Sequence, residues 1–523
     1  MNDSPILEST GQGKYLNWKF ISDACTVLLF FSILFLSFSV TNADPDLWGH
    51  LKVGQDILNQ HQIPTVDPYS YLTKGSKWFN HEWITQLTMG YLYDHLGAFG
   101  LCVSKVAVCL ILTMLIYNEL LRSGLTPLRG GFLLLLIHLV LLPGVQSFRP
   151  QMVTFLLFAV VLILIKHAEQ GKYRQLLVLP FMFTAWVNLH GGFLSGFIIF
   201  LVWSFVHLLC SLITTIKTKS WRDDLPANVV ICIAVIGSVL GVLLNPYGAE
   251  LIQYVFQTGA EPIPDVTEWQ PMTIRNGYAI TYSMLLGLGV FALLKSKKRL
   301  PLPLKVIYVM LCIAPLVAVR HLPLFACSAI LISDQLGSAW QKEAKQATWP
   351  RPLYIVLSAT LLFESIFCIK LAIPQLFHIG VDTQFYPIRA VKMLKASGVT
   401  GNMALEPMGW GEYVIWHLGG RLKVSYDGRR DTLYRLNIRN MNLNFENGIH
   451  DWDQMLLAGP ADLVLAQQGS ATNNLMKLER DWQLAYEDKL CAIYAHPGSA
   501  AFEKVASAKK IPVAEDASEM YFP

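Results

Sequence analysis

The chain has 523 residues, of which 53% are hydrophobic and only 15% charged, with a formal net charge of +4. A soluble protein carries about 25% charged residues, so this composition excludes a soluble globular enzyme and points to a polytopic membrane protein. Its Lys and Arg are scattered between apolar runs rather than gathered in a stripe, which argues against a nucleic-acid partner.

Residues 1–19 are polar, and the first apolar run spans about 20–40. That run is too long for a signal-peptide core and no small-residue cleavage site follows it, so it reads as a retained span. Further apolar stretches lie near 101–120, 130–147, 151–166, 175–189, 192–215, 228–244, 278–294, 303–319, 322–336 and 353–373. With the first they make about eleven transmembrane helices. Several approach the minimum of roughly 17 residues, which suits re-entrant or paired segments. Eight of the nine cysteines lie in or beside these runs and no CxxC pair occurs, so they read as small core hydrophobes.

Basic clusters fall in alternate connections: Arg122 and Arg129, then Lys166, Lys172 and Arg174, then Lys217, Lys219 and Arg222. Lys295 to Arg299 and then Lys342, Lys345 and Arg351 continue the pattern. By the positive-inside rule the N-terminus is cytoplasmic. An odd span count then places residues 374–505 outside, on the face of the first loop, 41–100, with 506–523 as a loose tail.

The first loop gathers much of the ionisable chemistry. Asp44-Pro45-Asp46 follows the first span directly, and Pro45 keeps Asp44 extended. Carboxylates at the mouth of a span suit a general base or a divalent-cation ligand; a helix cap in a solvated turn is the plainer alternative. Residues 46–59 have helical apolar spacing, predicting a short interfacial helix anchored by Trp48. Pro64 and Pro68 break the chain into turns. In Asn80-His81-Glu82-Trp83, His81 and Glu82 supply a ligand or an acid, or merely open a helix; His50 is a similar signal.

Four short outside connections carry the rest. These are Phe148-Arg149-Pro150, Asn188-Leu189-His190-Gly191-Gly192, Asn245-Pro246-Tyr247-Gly248 and Arg320-His321. The third opens a loop holding Glu261, Asp265, Glu268 and Trp269. A guanidinium at that depth needs an anion, and its fork matches phosphate; pairing with Asp44, Asp46 or Glu268 is the structural alternative. In the tail, strands are expected at 402–406, 422–426, 462–466 and 490–495, alternating with helices near 388–395, 411–418 and 452–457. That alternation predicts a small α/β domain with a mostly parallel sheet. Asp427-Gly428-Arg429 follows the second strand, where open sheets place ligands, or forms a salt-bridged turn to the membrane part.

With a first span, an acidic loop and interfacial helix, many further spans and an outside α/β tail, the chain resembles the GT-C integral-membrane glycosyltransferases. Nearer still is an uncharacterised bacterial multi-span group that reads D-x-D-x-W-x-H in the first loop, here Asp44, Asp46, Trp48 and His50. The likeness continues through Asp67-Pro68-Tyr69-Ser70, Trp78, His81-Glu82-Trp83 and Asp427-Gly428-Arg429. The resemblance implies transfer of a sugar from a polyprenyl-phosphate donor to an extracytoplasmic glycan, lipid or protein, in a bacterial inner membrane. Asp44 or Asp46 would be the catalytic base, and Arg320, Arg149 and His321 would bind the donor phosphate. His50, Asp67, His81, Glu82, Asn188, His190, Asn245, Tyr247, Asp427 and Arg429 would make the other substrate contacts. A divalent cation, Mg or Mn, would sit at Asp46 with Glu268 or Glu261, although Arg149 stands where relatives place a second acid. The rival class is a non-enzymatic transporter, flippase or scaffold for envelope polysaccharide assembly; a transporter should show mid-span charges and inverted repeats.

Overall fold

The computed structural model describes residues 18–218, 225–259, 266–273, 277–340, 349–508 and 520–522. Lys219, Arg222, Glu261, Asp265, Lys342 and Lys345 lie outside the described residues, as do most of the expected segments 1–19 and 506–523.

Within lipid each backbone must satisfy its own polar groups, so every long apolar run becomes a helix. Trp18–Ser39 (α1) is followed by a loop helix, Pro45–Gln60 (α2), and by Trp83–Arg122 (α3). Then come Pro127–Val145 (α4), Gln151–Glu169 (α5), Leu179–Leu189 (α6), Phe193–Thr218 (α7) and Leu225–Val242 (α8). Ala249–Gly259 (α9), Tyr278–Lys295 (α10), Leu302–Val317 (α11), Leu322–Cys327 (α12), Ser333–Trp340 (α13) and Arg351–Gln375 (α14) complete the membrane part.

All eleven expected stretches are helical. Among the described residues eight helices are long and apolar enough to cross a membrane: α1, α3, α4, α5, α7, α8, α10 and α14. The three short stretches behave differently. Residues 175–189 give a 3-10 turn and the 11-residue α6; α11 has 16 residues. Val319–Ile330 and α13 meet at a 56° bend, a broken span that raises the count to nine if taken as one. The second span is longer than its apolar run because α3 starts in the loop; Gly97, at φ 60° and ψ −150°, breaks its helical course.

Asp44 caps α2: its backbone is extended, its side chain accepts from the Asp46 N–H at 3.1 Å, and Pro45 occupies the first helical turn. The helix therefore forms as expected, but Trp48 is no interfacial anchor. Its indole is fully buried, with ring centroids 4.5 Å from Tyr386, 5.1 Å from Tyr413 and 5.4 Å from Phe522. The C-terminal part of the chain folds over α2 and supplies aromatic partners where lipid headgroups were expected.

That C-terminal part holds Ile388–Ser397 (α15), Gly411–Leu418 (α16) and a five-stranded sheet. The strands are Gly401–Leu405 (β1), Leu422–Val424 (β2), Leu463–Gln467 (β3), Gln483–Glu487 (β4) and Cys491–Ala495 (β5), in the order β2-β1-β3-β5-β4. β1 is parallel to β2 and β3, while β5 is antiparallel to β3 and β4. The sheet is thus mixed rather than mostly parallel. The unexpected strand β4 is a polar edge with Ala485 as its buried residue, too weak an alternation to announce itself. The first loop joins this sheet: the Tyr71 N–H donates to the Val424 carbonyl at 3.1 Å, and the Val424 N–H to the Tyr69 carbonyl at 3.2 Å. Loop and domain are one structure at this edge.

Candidate functional site

The N-terminal ends of α2, α3, α5 and α7 converge on a cavity of about 680 Å³. Asp46, Gly49 and His50 of α2, His81 and Glu82 before α3, Arg149 before α5 and His190 before α7 line it. Glu268, Trp269, Arg320 and His321 also line it, and the C-terminal domain contributes Glu412, Gly428 and Arg429. Helix N-termini carry partial positive charge and unsatisfied N–H groups, so the geometry favours anions.

Arg149 organises the first cluster. Its Nε donates to Asp44 Oδ2, its Nη2 lies 3.1 Å from Asp46 Oδ2 and its Nη1 lies 3.4 Å from Glu268 Oε2. Burial pushes the Asp46 carboxyl up; Arg149 opposes this, Asp44, Glu268 and Asp427 add to it, and the result is about 6. A carboxylate with that value is ionised at neutral pH yet basic enough to take a proton. Asp44, capping α2 and bound to Arg149, does not line the cavity.

The second cluster surrounds Glu82. Its carboxyl oxygens lie 3.4 Å from His190 Nε2, 3.7 Å from His50 Nδ1 and 3.8 Å from His81 Nε2. Burial raises Glu82 and lowers His50 and His190, the latter well below the usual imidazole range. The Gly192 N–H donates to His190 Nδ1 at 2.9 Å, which assigns the ring proton to Nε2, facing Glu82. His50 Nδ1 lies 3.2 Å from the Gln86 amide nitrogen.

Arg320 stacks its guanidinium on the Trp269 ring at 3.9 Å. His321 Nδ1 lies 3.1 Å from the Ala314 carbonyl.

Of the other expected residues, Asp67, Asn188, Asn245, Tyr247 and Asp427 stand off the cavity. Asp67 and Asp427 are buried off the cavity and hold Arg429. Arg429 Nη1 donates to Asp67 Oδ1 at 2.6 Å; Nε and Nη2 donate to Asp427 Oδ1 and Oδ2 at 2.9 and 2.7 Å. The same guanidinium lies 4.9 Å from the Tyr69 and Trp78 ring centroids. Arg429 reaches the cavity wall, but its fork is engaged in clamping the first loop to the C-terminal domain. Asn188 accepts from Trp83 Nε1 and donates to the Thr184 and Leu244 carbonyls. Asn245 closes its own turn on Tyr247 N–H, and the Tyr247 hydroxyl accepts from Asn80 N–H at 2.9 Å. These three brace the backbone around the cavity.

Sequence reasoning passed over Glu412. The one signal was a lone acid opening an otherwise apolar helix, GEYVIWHL.

Among the described residues no three of His, Cys, Asp and Glu are grouped to hold a metal ion, and the Arg149 guanidinium already lies among Asp44, Asp46 and Glu268. Glu261 lies outside the described residues.

Fold and cavity together define a multi-span membrane protein with a charged chamber at its helix ends. No family model matches the chain, and no curated protein matches it. Two solved structures resemble it over nearly its whole length. One is ArnT from Cupriavidus metallidurans bound to undecaprenyl phosphate, with TM-score 0.46, 10% identity, and 92% of this chain and 98% of that one covered. The other is the same protein in the apo state, with TM-score 0.49, 11% identity, and 94% and 98% covered. Likeness at this level carries no argument about activity, which has to come from the cavity.

Proposed function

We propose that this protein transfers a sugar from a polyprenyl-phosphate donor to an acceptor hydroxyl or amine, with Asp46 as general base. The observation that carries the reading is a single chamber lined by a carboxylate poised at about 6, by Arg149 and Arg320, and by four converging helix N-termini. The acceptor proton passes to Asp46, the acceptor oxygen or nitrogen bonds to the anomeric carbon, and the bond from that carbon to the phosphate oxygen breaks. The departing polyprenyl phosphate carries the electron pair. Arg320 stabilises that charge while Arg149 orients Asp46. Between the two acids, the capping role of Asp44 favours Asp46 as base. Glu82 and its imidazoles hold hydroxyl groups of donor or acceptor. In this reading the N-terminus is cytoplasmic and the chamber faces outward from a bacterial cytoplasmic membrane, where lipid-linked donors present their sugars.

The test uses purified protein in detergent and a panel of radiolabelled undecaprenyl-phosphate sugars. Asp46→Asn should abolish turnover while binding persists, Asp44→Asn should leave measurable turnover, and Arg320→Ala should weaken donor binding. Absence of binding across the panel would overturn the reading in favour of a transporter or scaffold.

A further inference from the structure

Two residues from Asp46 and two from His50, Trp48 leaves α2 on the face turned away from the chamber. It lines a second cavity, of about 330 Å³, together with Lys392 and Lys395 of α15 and with Tyr413, Trp416 and His417 of α16. Tyr521 of the C-terminal tail lines it as well. The helical residues recur three or four apart, so each helix turns one face to the cavity. Among the described residues of the lining there is no Asp or Glu. Burial first, then Lys395 and Lys392, lower His417 to about 4, so its imidazole is neutral and the two ammoniums supply the charge. Trp48 Nε1 and His417 Nε2 are buried without a hydrogen-bond partner among the described residues, and buried polar atoms are rarely left so.

Exposed apolar side chains adjoin this cavity. α14 ends at Gln375, and Phe377 just beyond it stacks on Phe99 of α3 with ring centroids 4.8 Å apart; both rings are exposed. Ile373 of α14 and Leu96 of α3 are exposed as well. The next residue, His378, lies 4.5 Å from the Tyr521 ring, so the apolar rim and the cavity meet at Tyr521. Backbone bonding fixes that junction: the Phe522 N–H donates to the Ile379 carbonyl and the Val381 N–H to the Met520 carbonyl, both at 2.9 Å. Aromatic rings at the ends of spanning helices suit the headgroup level of a bilayer, and basic pockets beside such helices bind acidic headgroups. The cavity has the volume of a small-ligand site, enough for a headgroup and too little for acyl chains.

We propose that this cavity binds the headgroup of an anionic phospholipid from the leaflet on the chamber side. Lys392 and Lys395 pair with its phosphate, Trp48 Nε1 and His417 Nε2 hydrogen-bond to its oxygens, and its acyl chains lie along Ile373, Phe377 and Phe99. The site is distinct from the chamber and holds whether or not the chamber transfers a sugar.

The test is native mass spectrometry of the full-length protein in detergent, with phosphatidylglycerol or phosphatidylcholine added at equal concentration. Wild type should retain phosphatidylglycerol about tenfold better, and the double variant Lys392→Gln/Lys395→Gln should lose most of that preference. Both lysines are exposed, so the double variant should unfold at the wild-type temperature without lipid; Lys395→Gln alone repeats the test with a smaller change. Trp416→Ala should also weaken retention, whereas Arg320→Ala, in the chamber, should leave it unchanged. Equal retention of the two lipids, or phosphatidylglycerol held as well by the lysine variants, reduces the contact to an unspecific lipid annulus and overturns the site. Loss in Arg320→Ala with the lysine variants unaffected moves the lipid to the chamber and overturns it too. Inorganic phosphate in excess should leave the lipid bound; displacement overturns the lipid assignment in favour of a free-phosphate site.

Discussion

Removing the Arg149 side chain tests whether the first cluster is held by this one guanidinium. The side chains of Arg149 and Asp44 are 23% and 13% exposed, so they form a mostly buried pair. Taking one partner from a fully buried pair costs about 3–5 kcal/mol, because the other charge is left uncompensated. Asp46 and Glu268, 31% and 38% exposed, are better screened and add at most about 0.5–1 kcal/mol each. With solvent discounting the Asp44 contribution as well, Arg149→Ala should lose about 3 kcal/mol. Asp44→Asn keeps a capping side chain for α2 and removes the stranded charge. It should therefore destabilise wild type yet restore about 1–2 kcal/mol to Arg149→Ala, a coupling typical of contacting charges. Unfolding in mixed detergent, followed by tryptophan fluorescence across the four proteins, measures both. If Asp44→Asn has the same effect in both backgrounds, or Arg149→Ala unfolds within about 0.5 kcal/mol of wild type, the reasoning is wrong.

The pH profile of transfer should rise through about 6, since Asp46 must be ionised to accept a proton and its carboxyl titrates there; a midpoint in the ordinary aspartate range would refute its role as base. Chelators should leave donor binding and turnover intact, because Arg149 occupies the space among the acids; activity lost to EDTA and restored by Mg or Mn would show otherwise. Arg429→Ala should cost about 3–5 kcal/mol and free the C-terminal domain from the first loop, seen as faster proteolysis around residue 380. Arg429→Lys should not rescue it, since a single ammonium cannot fork to Asp67 and Asp427 together.

How far these features could be read from sequence follows the range of the forces behind them. Apolar runs announce helices locally, because each span must satisfy its own backbone; the short runs at 175–189 and 322–336 gave an 11-residue helix and a bent pair, lengths and bends that apolarity alone does not report. Asp44 and Asp46 stood out as acids in an oily chain. Which of them faces the chamber depends on a cap and on an arginine 105 residues away, and no local pattern encodes that. Trp48 looked like a membrane anchor since amphipathic spacing reports that a face is covered, not by what. Both readings of Asp427-Gly428-Arg429 were physically sound; the clamp is formed, with Asp67 supplied from the first loop, while Gly428 and Arg429 also line the chamber. Glu412 escaped notice because a lone acid in a first helical turn already has an adequate local explanation in the helix dipole.

That the C-terminal domain helps to line the chamber also sets a timetable. Domains fold as units while the chain emerges from the ribosome, N-terminal portions first. The first loop, with Asp46, is made long before α16 exists. Until the C-terminal sheet has formed and docked, the chamber lacks Glu412, Gly428 and Arg429, which that domain contributes to its lining. In the proposed reading, proteolytic release of the C-terminal domain should therefore lower turnover while leaving the membrane spans intact.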